Sequence, residues 1–229
     1  MESFQDTLTL TTDTEKHVTV FRTVTDIDSN VYRIIKISNQ WWMSENLRIT
    51  QYRNGDDIPI VTINSEWSEL STGARCAYNN DENNLERYGY LYNWYAVNDS
   101  RNLAPNGWHV PTDAEWKELE MHLGMSQVAA DSTLYRGTDE GGKLKETGTT
   151  HWLSPNIGAT NEIGFSALPG GFRSDTGVGH DLGYLAYYWS STEHDSNTAV
   201  YRNLHFGSSK VCRSDYSKQT GFSVRLIRD

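Results

Sequence analysis

Residues 201–229 read YRNLHFGSSKVCRSDYSKQTGFSVRLIRD, and this closing stretch decides how the rest of the chain is interpreted. Val200, Arg202, Leu204 and Phe206 alternate with Tyr201, Asn203, His205 and Gly207. A two-residue period places each set on its own face of a strand. One face is expected to enter a core. The other offers Tyr, Asn and His, which combine large contact area with adaptable hydrogen bonding, as a binding surface requires. The same pattern also describes the solvated outer face of an antiparallel sheet.

Working outward, the chain has 229 residues, a net charge of -10 and a pI near 5.1. No basic stripe is available to neutralise phosphates, so nucleic acid is not an expected partner. No apolar run approaches the roughly 20 residues of a membrane span. No charged start followed by an apolar segment marks an export signal, so Met1-Glu2-Ser3 is either a cytoplasmic start or the start left after a signal is removed. Eight Trp, thirteen Tyr and eighteen Gly make the chain aromatic and turn-rich, a composition common among extracellular binding modules. Cys76 and Cys212 could form one bridge or stay as free thiols.

The stretch up to Asp28 is rich in Thr and Asp and carries an alternating run, His17 to Phe21, that reads as a flexible lead-in or an added edge strand. After the turn at 26–30, VYRIIKI (31–37) alternates again, and Asn39-Gln40 returns the chain into Trp41-Trp42-Met43 as a hairpin. Residues 50–87 read mostly as loop. Within them Asn79, Asn80, Asp81, Glu82, Asn83 and Asn84 crowd oxygen ligands that would suit calcium, although their spacing matches no defined calcium loop.

A helix is expected over Leu85–Val97 from its apolar spacing. A second follows Pro111, where Thr112 as N-cap and Glu115 form a capping box, Trp116, Leu119 and Leu123 make the buried stripe, and Gly124 stops it. A third, short helix is expected over Ser126–Tyr135. Beyond Gly141, frequent glycines restrict the chain to loops and short strands, at Gly164–Leu168, Tyr187–Ser191, Ala199–Phe206 and Gly221–Leu226. The succession is α+β: two main helices with short antiparallel sheets and long loops.

Eight stretches, VYRIIKISNQWWMSENLR (31–48), YNNDE (78–82), YGYLYNWYAV (88–97), GWHVPTDAEW (107–116), GGKLKETGTTHW (141–152), GFSALPGGFR (164–173), YYWSSTE (187–193) and GFSVRLIRD (221–229), resemble in order the Fibrobacter succinogenes major paralogous domain family. The resemblance runs from about Asp26 to Asp229. It implies one C-type-lectin-like domain over 26–229, of the branch shared with formylglycine-generating enzymes, preceded by a spacer over 1–25. It also implies export, typically as a secreted protein or a lipid-anchored surface lipoprotein of Bacteroidetes-like bacteria.

Within that frame His109 and His151 sit beside core tryptophans and take structural roles, and Ser190 and Ser191 lack the glycine elbow of a nucleophile. Many members carry cysteines where this chain has Ala104 and Leu226, which removes the expected partner of Cys76. Formylglycine-type oxidation needs two close thiolates to hold copper, and only Cys212 lies in the C-terminal third, so a non-enzymatic role is expected.

The expectation is therefore a surface module binding a glycan or a protein through its C-terminal face. Its candidate contact residues are Tyr184, His194, Asp195, Asn197, Tyr201, Asn203, His205, Arg213, Asp215 and Tyr216. With Ser208 these are also the residue types that adenine-directed diversification by a retroelement could vary. The Glu-Pro-Asn and Gln-Pro-Asp triplets of calcium-dependent lectins do not occur, so sugar binding would rest on Tyr201 and Tyr216 as stacking faces and on Asn203 and Asp215 as hydrogen-bonding groups. A structural or adhesin-type protein that docks another protein is the alternative.

Overall fold

The computed structural model describes residues 7–12 and 18–229, with side chains from Arg22 onward. The sequence-predicted spacer over 1–25 thus lies partly outside the described residues, as does His17 at the head of its alternating run.

The first described strands are β1 (Thr7–Thr12), β2 (Val18–Thr25), β3 (Val31–Ile37) and β4 (Gln40–Met43). Then come α1 (Asn64–Ser68), β5 (Arg75–Cys76), α2 (Leu85–Tyr88), β6 (Leu91–Tyr92), α3 (Trp94–Val97) and β7 (Trp108–His109). The middle holds α4 (Asp113–His122), α5 (Gln127–Asp131), β8 (Leu134–Arg136) and α6 (Glu140–Leu144). The chain closes with β9 (Gly170–Arg173), β10 (Gly179–Leu182), β11 (Leu185–Glu193), β12 (Thr198–His205), β13 (Val211–Ser217) and β14 (Ile227–Arg228).

The strands form two larger sheets, ordered β1-β2-β3-β4-β14-β7 and β10-β9-β11-β12-β13-β8, with β5 and β6 as a separate pair. The expected hairpin is present as β3 and β4, turning at Ser38 in the left-handed region. Ile227 of β14 pairs with Trp42 on one side and His109 on the other, so the end of the chain is zipped between two early segments.

The capping box on α4 forms as the sequence predicts, with the Thr112 hydroxyl accepting from Glu115 N and the Glu115 carboxylate accepting from Thr112 N. Trp116 and Leu119 are buried, Leu123 packs with them, and Gly124 at φ +117 ends the helix. The helix expected over 85–97 does not form as one piece. Gly89 stands at φ +71, where a Cβ would sit 2.6 Å from the Leu47 carbonyl oxygen, and the chain there straightens into β6. Asn93 then starts α3, its side chain accepting from Ala96 N. Apolar spacing alone could not register this break, because a left-handed glycine leaves the period intact.

Two further expectations are corrected. Residues 132–135 leave the third helix, since α5 ends at Asp131 and β8 joins the edge of the second sheet. Stretches 164–168 and 221–226 make only isolated bridges, such as Lys145 with Ala167 and Tyr92 with Phe222, rather than ladders.

The largest correction concerns β12, for which a solvated outer side was among the expectations. Both of its faces are covered: Leu204 packs with Trp116, Leu119 and Tyr188, while Tyr201 packs with Trp189, Phe222 and Val224 on the other side. Two clusters therefore meet across the strands β11 and β12.

Charge is buried between α4 and the second sheet. Glu120 is fully buried and accepts from Arg136 Nη2 at 2.5 Å and Arg202 Nε at 2.7 Å. Asp113 pairs with Arg202 and with Arg213, each at 2.8 Å. Burial pushes the Asp113 carboxyl up, but the two guanidiniums outweigh it and hold the group well below the usual carboxylate range.

His109 pins the last residue. Its Nδ1 lies 2.6 Å from Asp229 Oδ1 and its Nε2 2.8 Å from Glu115 Oε1. Hydrogen bonding to Glu115 raises its pKa above 6.5, burial opposes this, and Asp229 adds to the rise. A raised imidazole pKa stabilises the fold fully below the unfolded value and ceases to do so as pH rises through the folded one. The stability gap between the wild type and His109→Gln, measured by urea melts, is accordingly largest below pH 6.5 and narrows above it. A gap that stays flat across that range would dismiss the ionic tie.

Candidate functional site

The register across the second sheet brings four side chains into one row. Tyr187 of β11 lies opposite Asn203 of β12, Asn203 opposite Cys212 of β13, and Cys212 opposite Tyr135 of β8. Directly opposite residues share a face. Tyr201 and Tyr216 lie farther along the same face, their rings edge to face at 5.9 Å, and Tyr201 is 5.9 Å from Tyr187.

The β9–β10 hairpin continues the same sheet beyond β11. Gly171 at φ +63 is where the two strands touch, and a Cβ there would lie 2.3 Å from the His180 carbonyl oxygen. That close approach lets Asp181, itself at φ +62, present its carboxylate to the Tyr187 hydroxyl, which donates to Oδ2 at 2.8 Å.

All four tyrosines keep their protons at neutral pH. Burial raises each hydroxyl pKa. The Asp181 hydrogen bond adds to it at Tyr187, Cys212 at Tyr201, Cys212 and Asp181 at Tyr135, and Asp175 and Asp181 at Tyr216. Burial likewise raises the Cys212 thiol, so it is a small apolar floor group rather than a nucleophile. His205 is pushed down by burial and by the nearby Lys145. Lys145 is buried, donates to the carbonyls of Ile157, His205 and Ser208 at 2.8, 3.0 and 2.9 Å, and is pushed down to about 8 by burial. The face thus combines neutral hydroxyls with acidic groups, Asp181 on Tyr187 and Asp175 acting on Tyr216.

One acceptor is left open. Asn203 is 5 % exposed; its amide lies beside the Tyr201 hydroxyl and the Cys212 thiol, and among the described residues its Oδ1 accepts no hydrogen bond. A buried acceptor without a donor costs about 1–3 kcal/mol. Two concave regions elsewhere show no such vacancy among their charged groups. In a cleft of about 300 Å³ lined by Trp94, Tyr95 and Asn98, Arg101 is closed by Asp99 and Asp56. In one of about 240 Å³ beside Asn79 and Gly179, Arg173 is satisfied by the carbonyls of Val61, Thr62 and Gly177 and by Asn64 Oδ1.

The residues singled out from sequence are dispersed. Tyr201, Asn203, His205 and Tyr216 reach the tyrosine face, with Tyr201 and Asn203 as its buried floor rather than exposed contacts. Arg213 and Asp215 pair with Arg202 and Val200, which turns them to the α4 side, where Arg213 is committed to Asp113. Their neighbours in the 194–197 turn are exposed: His194 lies 3.9 Å from Asp215, while Asp195 accepts from the backbone of Asn197 and Thr198. Tyr184 stands in the β10–β11 turn, edge to face with Phe206.

Sequence reasoning missed Asp181, Tyr135 and Tyr187. The alternation of YLAYYW carried a signal for Tyr187; Asp181, set between glycines, carried none. His151 is hydrogen-bonded to Glu146 at 2.7 Å, and buried Ser190 donates to the Val200 carbonyl at 2.8 Å. In the oxygen-rich 79–84 run, Asp81 accepts from Asn83, and Asn80 and Asn84 donate to carbonyls. Among the described residues no group of three or more His, Cys, Asp or Glu is placed to hold a metal. Cys76 and Cys212 are both free and buried.

Comparison with characterised proteins and with solved structures returns no match. The family model described as the Fibrobacter succinogenes major domain covers residues 35–228, from β3 into β14 and so through every element that builds the tyrosine face. That span is far more than half of the chain, which therefore belongs to the Fibrobacter succinogenes major domain family.

Proposed function

We propose that this protein is a non-enzymatic binding module of C-type-lectin-like architecture, exported to the cell surface, whose ligand docks on the tyrosine face of the second sheet. The lectin-like reading draws support from the pairing of the C-terminal strand β14 with the early hairpin strand β4. The observation that carries the binding role is the convergence of Tyr135, Tyr187, Tyr201 and Tyr216 with a buried, unpartnered Asn203 carbonyl. Tyrosines give large, rigid contact area at low entropy cost, and an unsatisfied acceptor is recovered when a ligand supplies the donor.

Tyr135 is 46 % exposed and Tyr216 38 %, so truncating both should disturb the fold little. Their double alanine variant should lose at least about ten-fold in affinity for ligands found on glycan and protein arrays, equivalent to about 1.4 kcal/mol. Its melting temperature should stay close to the wild type's. Ligands bound equally well by the variant, or turnover of any of them, would overturn the reading.

A further inference from the structure

We propose that the tyrosine face recognises a lysine side chain presented by a basic protein partner, with the Asp181 carboxylate and the Asn203 carbonyl receiving its ammonium group. The inference rests on the binding role argued above and names what that face selects.

Asp181 is a carboxylate whose side chain has the Tyr187 hydroxyl as its hydrogen-bond donor and, among the described residues, no Lys or Arg ion pair. Its charge also acts on Tyr135, Tyr216 and His205, while its direct contact is the Tyr187 hydroxyl at 2.8 Å. Asn203 adds the orphaned Oδ1, more than nine-tenths buried, in the same row as Tyr187 and Tyr135. The buried position left unfilled on this face is thus the Asn203 carbonyl, an acceptor. The tyrosine hydroxyl oxygens can accept as well.

A lysine ammonium brings three donors and a positive charge on a thin apolar stem, which matches a carboxylate, a carbonyl and flanking aromatic rings. A quaternary ammonium has no donor for Asn203, and an anion would meet Asp181. Tyr135 and Tyr216, the half-exposed rings of this face, are the side chains a partner meets first. A protein rather than a sugar is favoured because the exposed tyrosines offer a broad, rigid aromatic platform of the kind found at protein interfaces. The net charge of -10 also speeds the approach of a basic partner.

The test uses the full chain and surface plasmon resonance at physiological salt, with a peptide carrying three spaced lysines, the same peptide with every lysine acetylated, and a chitosan oligosaccharide. Two variants accompany the wild type. Asp181→Asn keeps an acceptor for Tyr187 and tolerates the left-handed backbone, as Asn does. Asp57→Asn removes the same charge from an exposed position in the 50–60 loop.

The expected result is binding of the lysine peptide that falls at least ten-fold on acetylation and at least ten-fold in Asp181→Asn, but less than two-fold in Asp57→Asn. No binding by the wild type, equal losses in both variants, indifference to acetylation, or tighter Asp181-dependent binding of the chitosan oligosaccharide would each overturn the proposal. A ligand lost in the double tyrosine variant yet unaffected in Asp181→Asn would leave the binding face standing and remove only the lysine assignment.

Discussion

Replacing Glu120 by glutamine should lower the stability of this protein by about 3–5 kcal/mol, the range expected when one member of a buried ionic cluster is removed. Glu120 is fully buried and is the carboxylate to which Arg136 and Arg202 both donate. Glutamine keeps the shape but offers one carbonyl oxygen to two guanidiniums, and while Arg202 keeps Asp113, Arg136 is left buried without the carboxylate it pairs with. Burial already presses Arg136 down to about 10.

For a chain of this size the loss corresponds to roughly 6–20 °C in melting temperature. Thermal and urea melts of the single variant, compared with a double variant that also carries Arg202→Met, would separate lost pairing from lost packing. A drop below about 1 kcal/mol would mean that water reaches the cluster.

The same cluster sets the acid limb of stability. Asp113 has its pKa lowered from 3.8, so its contribution is present above that value and is lost as pH falls below it through the folded value. Acid melts of Asp113→Asn should lack this part of the wild-type slope.

Arg225→Met should cost about 3 kcal/mol, and Arg225→Lys should recover little of it. Arg225 is buried and, among the described residues, has no paired carboxylate: its guanidinium donates to Asn46 Oδ1, to the Phe165 carbonyl and to the Ser166 carbonyl, and lies 4.1 Å from the Phe165 ring centroid. Burial lowers its pKa, so the planar fork stays in place through its acceptors. Methionine orphans three acceptors at about 1–3 kcal/mol each, offset by removing a buried charge. Lysine supplies charge without the fork geometry. A melting temperature within a degree of wild type for either variant would contradict this account.

What was legible from sequence depended on how local the controlling interaction was. The β3–β4 hairpin and α4 with its capping box are written in neighbouring residues, and both appear within a residue or so of their expected ends. The 85–97 helix failed because the contact that forbids it, Gly89 against the Leu47 carbonyl, joins residues far apart along the chain. The tyrosine face was legible in part. The alternation around Tyr201 and Asn203 correctly separated two faces of β12, yet gave no sign that Phe222 would pack against Tyr201 on one of them. Arg213 and Asp215 look like contact residues by type, but the register of β13 sends them to the side of α4.

By itself, then, the sequence determined the α+β class, the terminal antiparallel strands and the family, because these rest on period, turn chemistry and ordered motifs that lie along the chain. The tertiary structure alone decided which side chains share a surface. Tyr135 and Cys212 are brought level with Asn203 by strand pairing across long loops, and Asp181 is swung over Tyr187 by a hairpin whose strands touch at Gly171. Side-chain type travels with the sequence. Which acceptors are left buried without a donor depends on every strand that closes around them.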